Sequence, residues 1–169
     1  MREPGPISAS RADEGLAAQF DARFEVARDR LVRICAGMVG RDLADDVVQD
    51  TYLRARSRYS QLRDPDLFEG WLTRIALNLC VNRHRSDRRL RNLLPFLRPR
   101  AVAPERDLGL RELIERLPPR DRTVVVLHYG HGYAFEDIAR LTGLTAVNAR
   151  TIVFRARRRL ADQLREADR

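Results

Sequence analysis

The stretch that decides the fold is Trp71–Arg91, WLTRIALNLCVNRHRSDRRLR. Trp71, Ile75 and Leu79 recur every four residues, which places them on one apolar stripe of a helix, and Leu72 widens that stripe. The other side of the helix carries hydrogen-bond donors: Arg74, Asn78, Asn82, Arg85 and Arg89. The sequence therefore predicts a helix with one packed face and one face of Arg and Asn side chains.

This stretch is strongly basic. Between Arg74 and Arg91 there are six Arg and only one acid, Asp87, which gives a local charge of +5. Such a surface suits a polyanion, and amide side chains at helical spacing can also reach base edges. A run of Arg can equally do no more than keep a helix surface solvated. The pattern favours nucleic acid and leaves that simpler interpretation open.

The whole chain of 169 residues is basic as well, with a net charge of +8 and a pI near 10.7. All 32 basic residues are Arg. Arg pairs well with phosphate and guanine, so the absence of Lys could serve nucleic-acid binding. A GC-rich genome, in which Lys codons are rare, is the stronger explanation. No apolar run reaches the roughly 18 residues of a membrane span, and the N-terminus lacks a signal-peptide core. We therefore expect no membrane insertion and a cytoplasmic location.

The residues that could carry chemistry are few. Cys35 and Cys80 lie in apolar helical patterns, which predicts buried reduced thiols, with a disulfide or redox switch as the minority alternative. His128 and His131 have no third ligand nearby, so no metal is expected. With no nucleophile–base pair and no phosphate-binding Gly loop, we expect neither an enzyme nor a cofactor.

The predicted fold is all-α, with two small helical domains joined by a Pro-rich linker. Residues 1–15 lack apolar periodicity and predict a disordered tail. A first domain covers 16–91, with a helix from Leu16 to Gly40, a second beginning at Asp42 as N-cap, and a break at Asp64-Pro65. The linker, 92–107, contains three Pro, and the second domain covers 108–169.

The helix after Asp42 has an unusual acidic side, formed by Asp45, Asp46, Gln49 and Asp50. Two interpretations are equal on spacing alone. The carboxylates balance the Arg residues that follow at helical spacing, or they form a docking face for another protein beside Tyr52 and Leu53. Phe68, in the loop that follows, could stack on unpaired bases, but such an aromatic more often fills the core.

The last third of the chain predicts a helix-turn-helix. Gly143 ends one short helix, Thr145 can cap the next, and the turn between them has the length this motif needs. Recognition helices place their N-terminal residues in the major groove, which selects Asn148, Arg150 and Thr151 for base edges. Phosphate contacts are expected from Arg155, Arg157, Arg158 and Arg159.

Several blocks of the sequence, in order, resemble the extracytoplasmic-function (ECF) group of bacterial RNA polymerase sigma factors, over about Phe20 to Leu164. The acidic block ADDVVQDTYLRA (44–55) is similar to the helix that binds core polymerase in that group, and WLTRIALNLCVNRHR (71–85) to its promoter-opening helix. RLPPRDRTVVVLHYGHGYAFEDIARLTG (116–143) and FRARRRL (154–160) resemble its C-terminal promoter-binding domain.

The resemblance implies an alternative sigma factor that binds core RNA polymerase through the beta-prime clamp helices and the beta flap, and that is held inactive by an anti-sigma factor. It would help melt the minus-ten promoter element and read the minus-thirty-five element. The implied polymerase-binding residues are Asp46, Gln49, Asp50, Leu53 and Arg54. The implied minus-ten residues are Phe68, Trp71, Arg74, Asn78, Asn82, Arg83 and Arg85. The implied minus-thirty-five residues are Asn148, Arg150, Thr151, Phe154, Arg155 and Arg158.

The chain departs from the group's pattern at two places. Ile152 stands where an Arg is expected in the recognition helix, and Ala134 stands where a hydroxyl residue would cap the preceding helix. The competing hypothesis is a stand-alone helix-turn-helix regulator that binds operators as a dimer. The acidic helix favours the sigma factor, because a simple repressor has no need for it.

Overall fold

The computed structural model describes the backbone of residues 6–93 and 109–167, and the side chains of 14–83 and 109–165 apart from Arg111. These residues form seven α-helices and no β-strand. The helices are α1 (Pro6–Val39), α2 (Arg41–Arg56), α3 (Phe68–Leu93), α4 (Leu110–Glu115), α5 (Pro119–Val125), α6 (Phe135–Thr142) and α7 (Ala146–Ala167). The all-α prediction is confirmed, and the predicted linker lies outside the described residues except for 92 and 93, which end α3.

Helix α1 begins earlier than the sequence predicts. The expected disordered tail of residues 1–15 is wrong from Pro6 onward, because the backbone is helical there. A proline at the first helical position loses no hydrogen bond and has its φ already in the helical range, and the Ala, Arg and Glu residues that follow are good helix formers. The end of the helix is as predicted, since Gly40 adopts a positive φ of 89° and separates α1 from α2.

Helices α1, α2 and α3 form the N-terminal domain. Helices α1 and α2 run antiparallel, as the bond from the Tyr52 hydroxyl to Asp21 and the ion pair between Arg28 and Asp45 show. The end of the domain near the 57–67 loop is filled by aromatic rings, with centroids 5.2 to 5.9 Å from that of Phe20. These rings belong to Phe24, Tyr52, Tyr59 and Phe68.

The loop before α3 is built from two 3₁₀ turns, Tyr59–Gln61 and Pro65–Leu67. The Asp64 carboxylate accepts a hydrogen bond of 2.9 Å from the Asp66 amide and so caps the second turn. Helix α3 then begins at Phe68, three residues before the stretch that predicted it. Its apolar side is buried as expected at Leu72 and Leu79, whereas Trp71 and Ile75 lie half-buried at the edge.

Helices α4 to α7 form the C-terminal domain, and the predicted helix-turn-helix is present as α6 and α7. Gly143 ends α6 in the left-handed region, with a φ of 73°. The Thr145 hydroxyl accepts a hydrogen bond of 3.1 Å from the Asn148 amide, which is the predicted cap of α7. At the start of α5, Pro118 occupies the cap position and Pro119 follows it, so Asp121 lies in the first turn of the helix.

The two domains pack directly against each other in this structure. One buried apolar cluster runs from α1, α2 and α3 into the C-terminal domain and includes Val124, Val126, Leu127 and Ile138. Helix α1 contacts α5 and the π-helical turn Val126–Gly130, and α3 contacts α5 and α6. We call this packing the closed arrangement.

Phe68 provides a test of the N-terminal core. Its side chain is only 1% exposed, so the change Phe68→Ala should lower the free energy of unfolding by about 3 to 5 kcal/mol, because it leaves a cavity among the aromatic rings. The neighbouring change Leu67→Ala, at a side chain that is 60% exposed, should cost less than about 0.5 kcal/mol. Urea unfolding followed by the fluorescence of Trp71, the single Trp of the chain, measures both values. Equal stability of the two variants would contradict the core position of Phe68.

Candidate nucleic-acid interface

The acidic side of α2 is open to solvent. The side chains assigned to polymerase binding, Asp46, Gln49, Asp50, Leu53 and Arg54, are all exposed, and Leu53 is 58% exposed although it is apolar. A single exposed apolar side chain is common on protein surfaces, so it is the exposure of the whole set that keeps a docking role open to it. The structure leaves every member of this predicted surface accessible to a partner.

Ion pairs from this side of α2 reach other helices. Asp45 pairs with Arg28 of α1 at 3.5 Å, and Asp46 pairs with Arg83 of α3 at 3.6 Å. If the carboxylates only balanced charge within their own helix, their partners would be the Arg residues that follow them at helical spacing. The partners of these two carboxylates lie instead on α1 and α3. Both pairs are largely solvent-exposed, so each contributes about 0 to 1 kcal/mol.

Helix α3 presents the predicted Arg and Asn face. Arg74, Asn78 and Asn82 are exposed, and Arg83 and Trp71 are half-buried. The side chain of Arg85 lies outside the described residues. Arg74, Asn78 and Asn82 form one exposed helix surface, as the spacing predicts. Trp71 was expected on the opposite, packed side but lies half-buried at the edge of this surface, because residues three apart on a helix share a face.

Phe68 is placed differently from the other residues assigned to minus-ten DNA. Its ring packs against Phe20, Tyr59 and Trp71, and the guanidinium of Arg23 lies over it at 4.4 Å. A ring enclosed in this way cannot stack on a base, so the assignment of Phe68 to DNA is corrected in favour of the core. The sequence signal that separates the two roles is weak, because a single Phe in a loop suits both.

A cleft of about 470 Å³ runs along the start of α3. Trp71 and Arg74 border it on one side, and Tyr133, Asp137 and Arg140 of the C-terminal domain border it on the other. Arg74 also donates a hydrogen bond of 2.5 Å to the Arg140 carbonyl. Part of the candidate minus-ten surface therefore faces the C-terminal domain.

The recognition helix α7 has its candidate surface fully open. All six residues assigned to the minus-thirty-five element are exposed: Asn148, Arg150, Thr151, Phe154, Arg155 and Arg158. The apolar Phe154 and Val147 are 68% and 72% exposed on this helix. Apolar side chains at such positions can contact a thymine methyl group. Val147 was not among the predicted DNA-contacting residues, because an apolar residue near a helix start is usually taken as core.

Two residues of the helix-turn-helix have local roles that limit their contacts. The Thr151 hydroxyl donates to the Val147 carbonyl at 2.9 Å, which leaves its oxygen free as an acceptor. Ile152, where an Arg was expected, is half-buried and packs against the apolar cluster. At this position packing has replaced a possible phosphate contact.

Cys35, Cys80 and His128 are structural in this arrangement. Cys35 and Cys80 are fully buried, and a hydrogen bond between them, followed by burial, raises the pKa of the Cys80 thiol. His128 lies 3.1 Å from the Tyr133 carbonyl and stacks on Phe135 with ring centroids 4.5 Å apart. Within the described ranges, no three His, Cys, Asp or Glu side chains come together as a metal site would require. None of the described helices has an apolar run of the length that a bilayer crossing needs.

Comparison with family models identifies both halves of the chain. Residues 24–90 match Sigma-70 region 2, and residues 108–160 match Sigma-70, region 4. Together these matches cover well over half of the sequence and agree with the two helical domains. The break between them falls at the predicted linker.

Two curated relatives are sigma factors. The chain is 26% identical over 131 residues to the RNA polymerase sigma factor SigV of Bacillus subtilis, covering 75% of this chain and 79% of SigV. It is 30% identical over 165 residues to the ECF RNA polymerase sigma factor SigE of Mycolicibacterium smegmatis, covering 90% of this chain and 64% of SigE. The chain thus spans most of the first relative and just under two thirds of the second.

Two solved structures share the fold. CnrH, in complex with the cytosolic domain of CnrY, is 29% identical, with a TM-score of 0.60 over 92% of this chain and 98% of CnrH. The sigma factor RpoE, in complex with the anti-sigma factor NepR from Bartonella quintana, is 23% identical, with a TM-score of 0.70 over 89% of this chain and 99% of RpoE. At 23% identity, the similarity to RpoE shows a shared fold only.

The buried cysteine pair gives a second prediction. Because both thiols are enclosed and the pKa of Cys80 is raised, neither should react with iodoacetamide in the native chain, and both should react in urea. We expect native labelling to be at least about a hundredfold slower than labelling of the unfolded chain, since it requires local opening. Mass spectrometry measures the rate, and a Cys at the exposed Ser60 position serves as the positive control. Fast labelling of either native thiol would revive the redox alternative.

Proposed function

Because this chain belongs to the sigma-70 family and is of the ECF type, we propose that it binds core RNA polymerase and directs it to particular promoters. The observation that carries the proposal is the presence, on one chain, of an exposed acidic docking face and two separate Arg- and Asn-bearing faces. A stand-alone regulator needs one DNA surface and no acidic face. The protein would act in the cytoplasm, where the polymerase is.

Polymerase would dock on the exposed side of α2. Asp46, Gln49 and Asp50 offer oxygen atoms to basic side chains, and Leu53 offers an apolar contact among them. We assign this surface to the beta-prime clamp helices, and a second contact, from the C-terminal domain, to the beta flap. Charge complementarity of this kind contributes most to the rate and specificity of association.

Promoter recognition would divide between the domains. The exposed side chains of α3 would hold the single-stranded minus-ten element, with Trp71 at the edge of the domain as a stacking surface and Arg74 as a phosphate contact. The recognition helix α7 would enter the major groove at the minus-thirty-five element, with Asn148 and Arg150 at base edges. Arg155 and Arg158 would contact phosphate.

Melting requires no covalent chemistry from this chain. Stacking holds duplex DNA by about 1.4 kcal/mol per step, and capture of one unstacked base returns about 1 to 3 kcal/mol. The two terms nearly balance, so the contacts made by polymerase decide whether the strands separate. We therefore propose a binding protein without catalytic residues or cofactor.

An anti-sigma factor is the proposed inhibitor. The related CnrH was solved with the cytosolic domain of another protein, CnrY, bound to it, which supports a partner of this kind. Such a partner would form a one-to-one complex and cover the basic helices. Full DNA binding by that complex would contradict the masking role.

The test of the proposed function is co-elution with core polymerase on gel filtration. The double change Asp46→Ala and Asp50→Ala should weaken association by at least about tenfold, because each charged hydrogen bond lost costs about 1.5 to 3 kcal/mol. A control with the same change of net charge is Glu136→Ala with Asp162→Ala, two exposed acids of the C-terminal domain. Failure of the unaltered, folded chain to co-elute would contradict the proposal and favour the stand-alone regulator.

Base recognition by α7 gives a further prediction. Asn148→Ala in the reconstituted holoenzyme should lose about 1 to 3 kcal/mol of discrimination at one base pair, because an amide that reads adenine is removed. Arg157→Ala, an exposed change on the same helix, should weaken all sequences alike. Binding to a library of minus-thirty-five duplexes separates the two effects. An unchanged preference in Asn148→Ala would exclude Asn148 as a base-reading residue.

A further inference from the structure

Helix α7 carries apolar side chains on its exposed side. Its buried side consists of Ala149, Val153, Ala156 and Leu160. Val147 and Phe154 are 72% and 68% exposed, and their spacing, close to two helical turns, puts them on one side of the helix. At about 3.6 residues per turn, that side is rotated about 140° from the buried one. These two side chains therefore do not belong to the core of the C-terminal domain.

Thr151 lies between these two apolar side chains. It is four residues after Val147 and three before Phe154, a spacing at which helical side chains are neighbours. Its hydroxyl donates to the Val147 carbonyl at 2.9 Å, so the proton of this group is held within the helix. We call Val147, Thr151 and Phe154 the apolar ridge of α7, because none of the three side chains offers a free hydrogen-bond donor.

Positive charge borders the apolar ridge. Arg150, Arg155 and Arg158 are exposed beside it, and the guanidinium of Arg150 lies over the ring of Phe135 at 5.3 Å. Residues 146–161 of the chain include no Asp or Glu. A surface of this charge favours the phosphate backbone of duplex DNA over an apolar protein surface as its partner.

The major groove of duplex DNA contains one kind of apolar group. Every base edge in the groove presents hydrogen-bond donors or acceptors, and only thymine adds a methyl group. Residues at the start of a recognition helix reach these base edges. We infer that Val147 reads a thymine methyl group in the minus-thirty-five element and is a specificity-determining residue beside Asn148. This inference rests on the proposed function of α7.

Val147 is better placed for this contact than Phe154. It is the second residue of α7, and the first turn of the helix is fixed by the bond of 3.1 Å from the Asn148 amide to the Thr145 hydroxyl. A Val side chain in a helix has one strongly preferred rotamer, so its methyl groups are in position before DNA binds. Little conformational entropy is then lost on contact.

The test removes one methyl group from the DNA and the facing methyl groups from the protein. Holoenzyme reconstituted from the full chain and core polymerase first selects its preferred minus-thirty-five sequence from a duplex library. Each thymine of the selected duplex is then replaced, one at a time, by deoxyuridine, which lacks only the 5-methyl group. Val147→Ala removes both γ-methyl groups and leaves the helix intact, because the position is exposed and Ala is the best helix former.

The expected result is a deoxyuridine effect that depends on Val147. With the unaltered chain, deoxyuridine should weaken binding about fourfold at one thymine, the effect of withdrawing one methyl-sized group from water. With Val147→Ala, the same replacement should have no effect at that thymine. The matched control is Val26→Ala on α1, where the side chain is 83% exposed, and this variant should keep the full effect.

Three results would overturn the inference. The first is a deoxyuridine effect as large in Val147→Ala as in the unaltered chain. The second is a selected element without thymine on either strand, or one in which no deoxyuridine replacement weakens binding. The third is weaker co-elution of Val147→Ala with core polymerase while the deoxyuridine effect is unchanged, which assigns this side chain to a protein contact.

The same experiment separates this inference from the proposed function. A folded, unaltered chain that forms no holoenzyme contradicts the proposed function, and the role of Val147 with it. Normal formation of holoenzyme and selection of a sequence, without a methyl effect that depends on Val147, contradicts the role of Val147 alone.

Discussion

The closed arrangement depends on guanidinium groups placed at the carbonyl ends of helices in the opposite domain. The last carbonyl groups of these helices would otherwise bond to water or to a local turn. Because every helix has such carbonyl groups, the acceptor side of this contact requires no special sequence. Arginine suits the task because its fixed fork of donors can reach two carbonyls at once, as Arg122 does with Met38 and Leu117. The apolar cluster then continues across the boundary between the domains.

The local elements of this fold could be predicted because their signals are local. The stripe of Leu72 and Leu79, the positive φ of Gly143 and the Thr145 cap each depend on residues within about one helical turn. Errors arose where two local signals compete. At the start of α2, Gly40 took the place of Asp42 as the cap, and at the N-terminus a helix begins at Pro6 where a disordered tail was expected.

The candidate sites were only partly predictable for a different reason. Exposure of Asn148 and Arg150 follows from helical periodicity, but the burial of Phe68 depends on Phe20 and Tyr59, which approach it only in the folded domain. The partner of Arg74 lies 66 residues away along the chain, and no pattern in the sequence specifies that pairing. Periodicity gives the side of a helix that is polar and leaves open which partner that side meets.

The ion pair between Asp46 and Arg83 has a consequence for how the two surfaces of the N-terminal domain work together. Its acid belongs to the surface assigned to polymerase and its base to the surface assigned to DNA. A protein that takes Asp46 as its own partner releases Arg83, and by thermodynamic linkage DNA that takes Arg83 makes Asp46 more available to protein. An exposed pair of about 0 to 1 kcal/mol limits this coupling to a few-fold. The two ligands would thus bind with mild positive cooperativity, transmitted through a single side-chain contact.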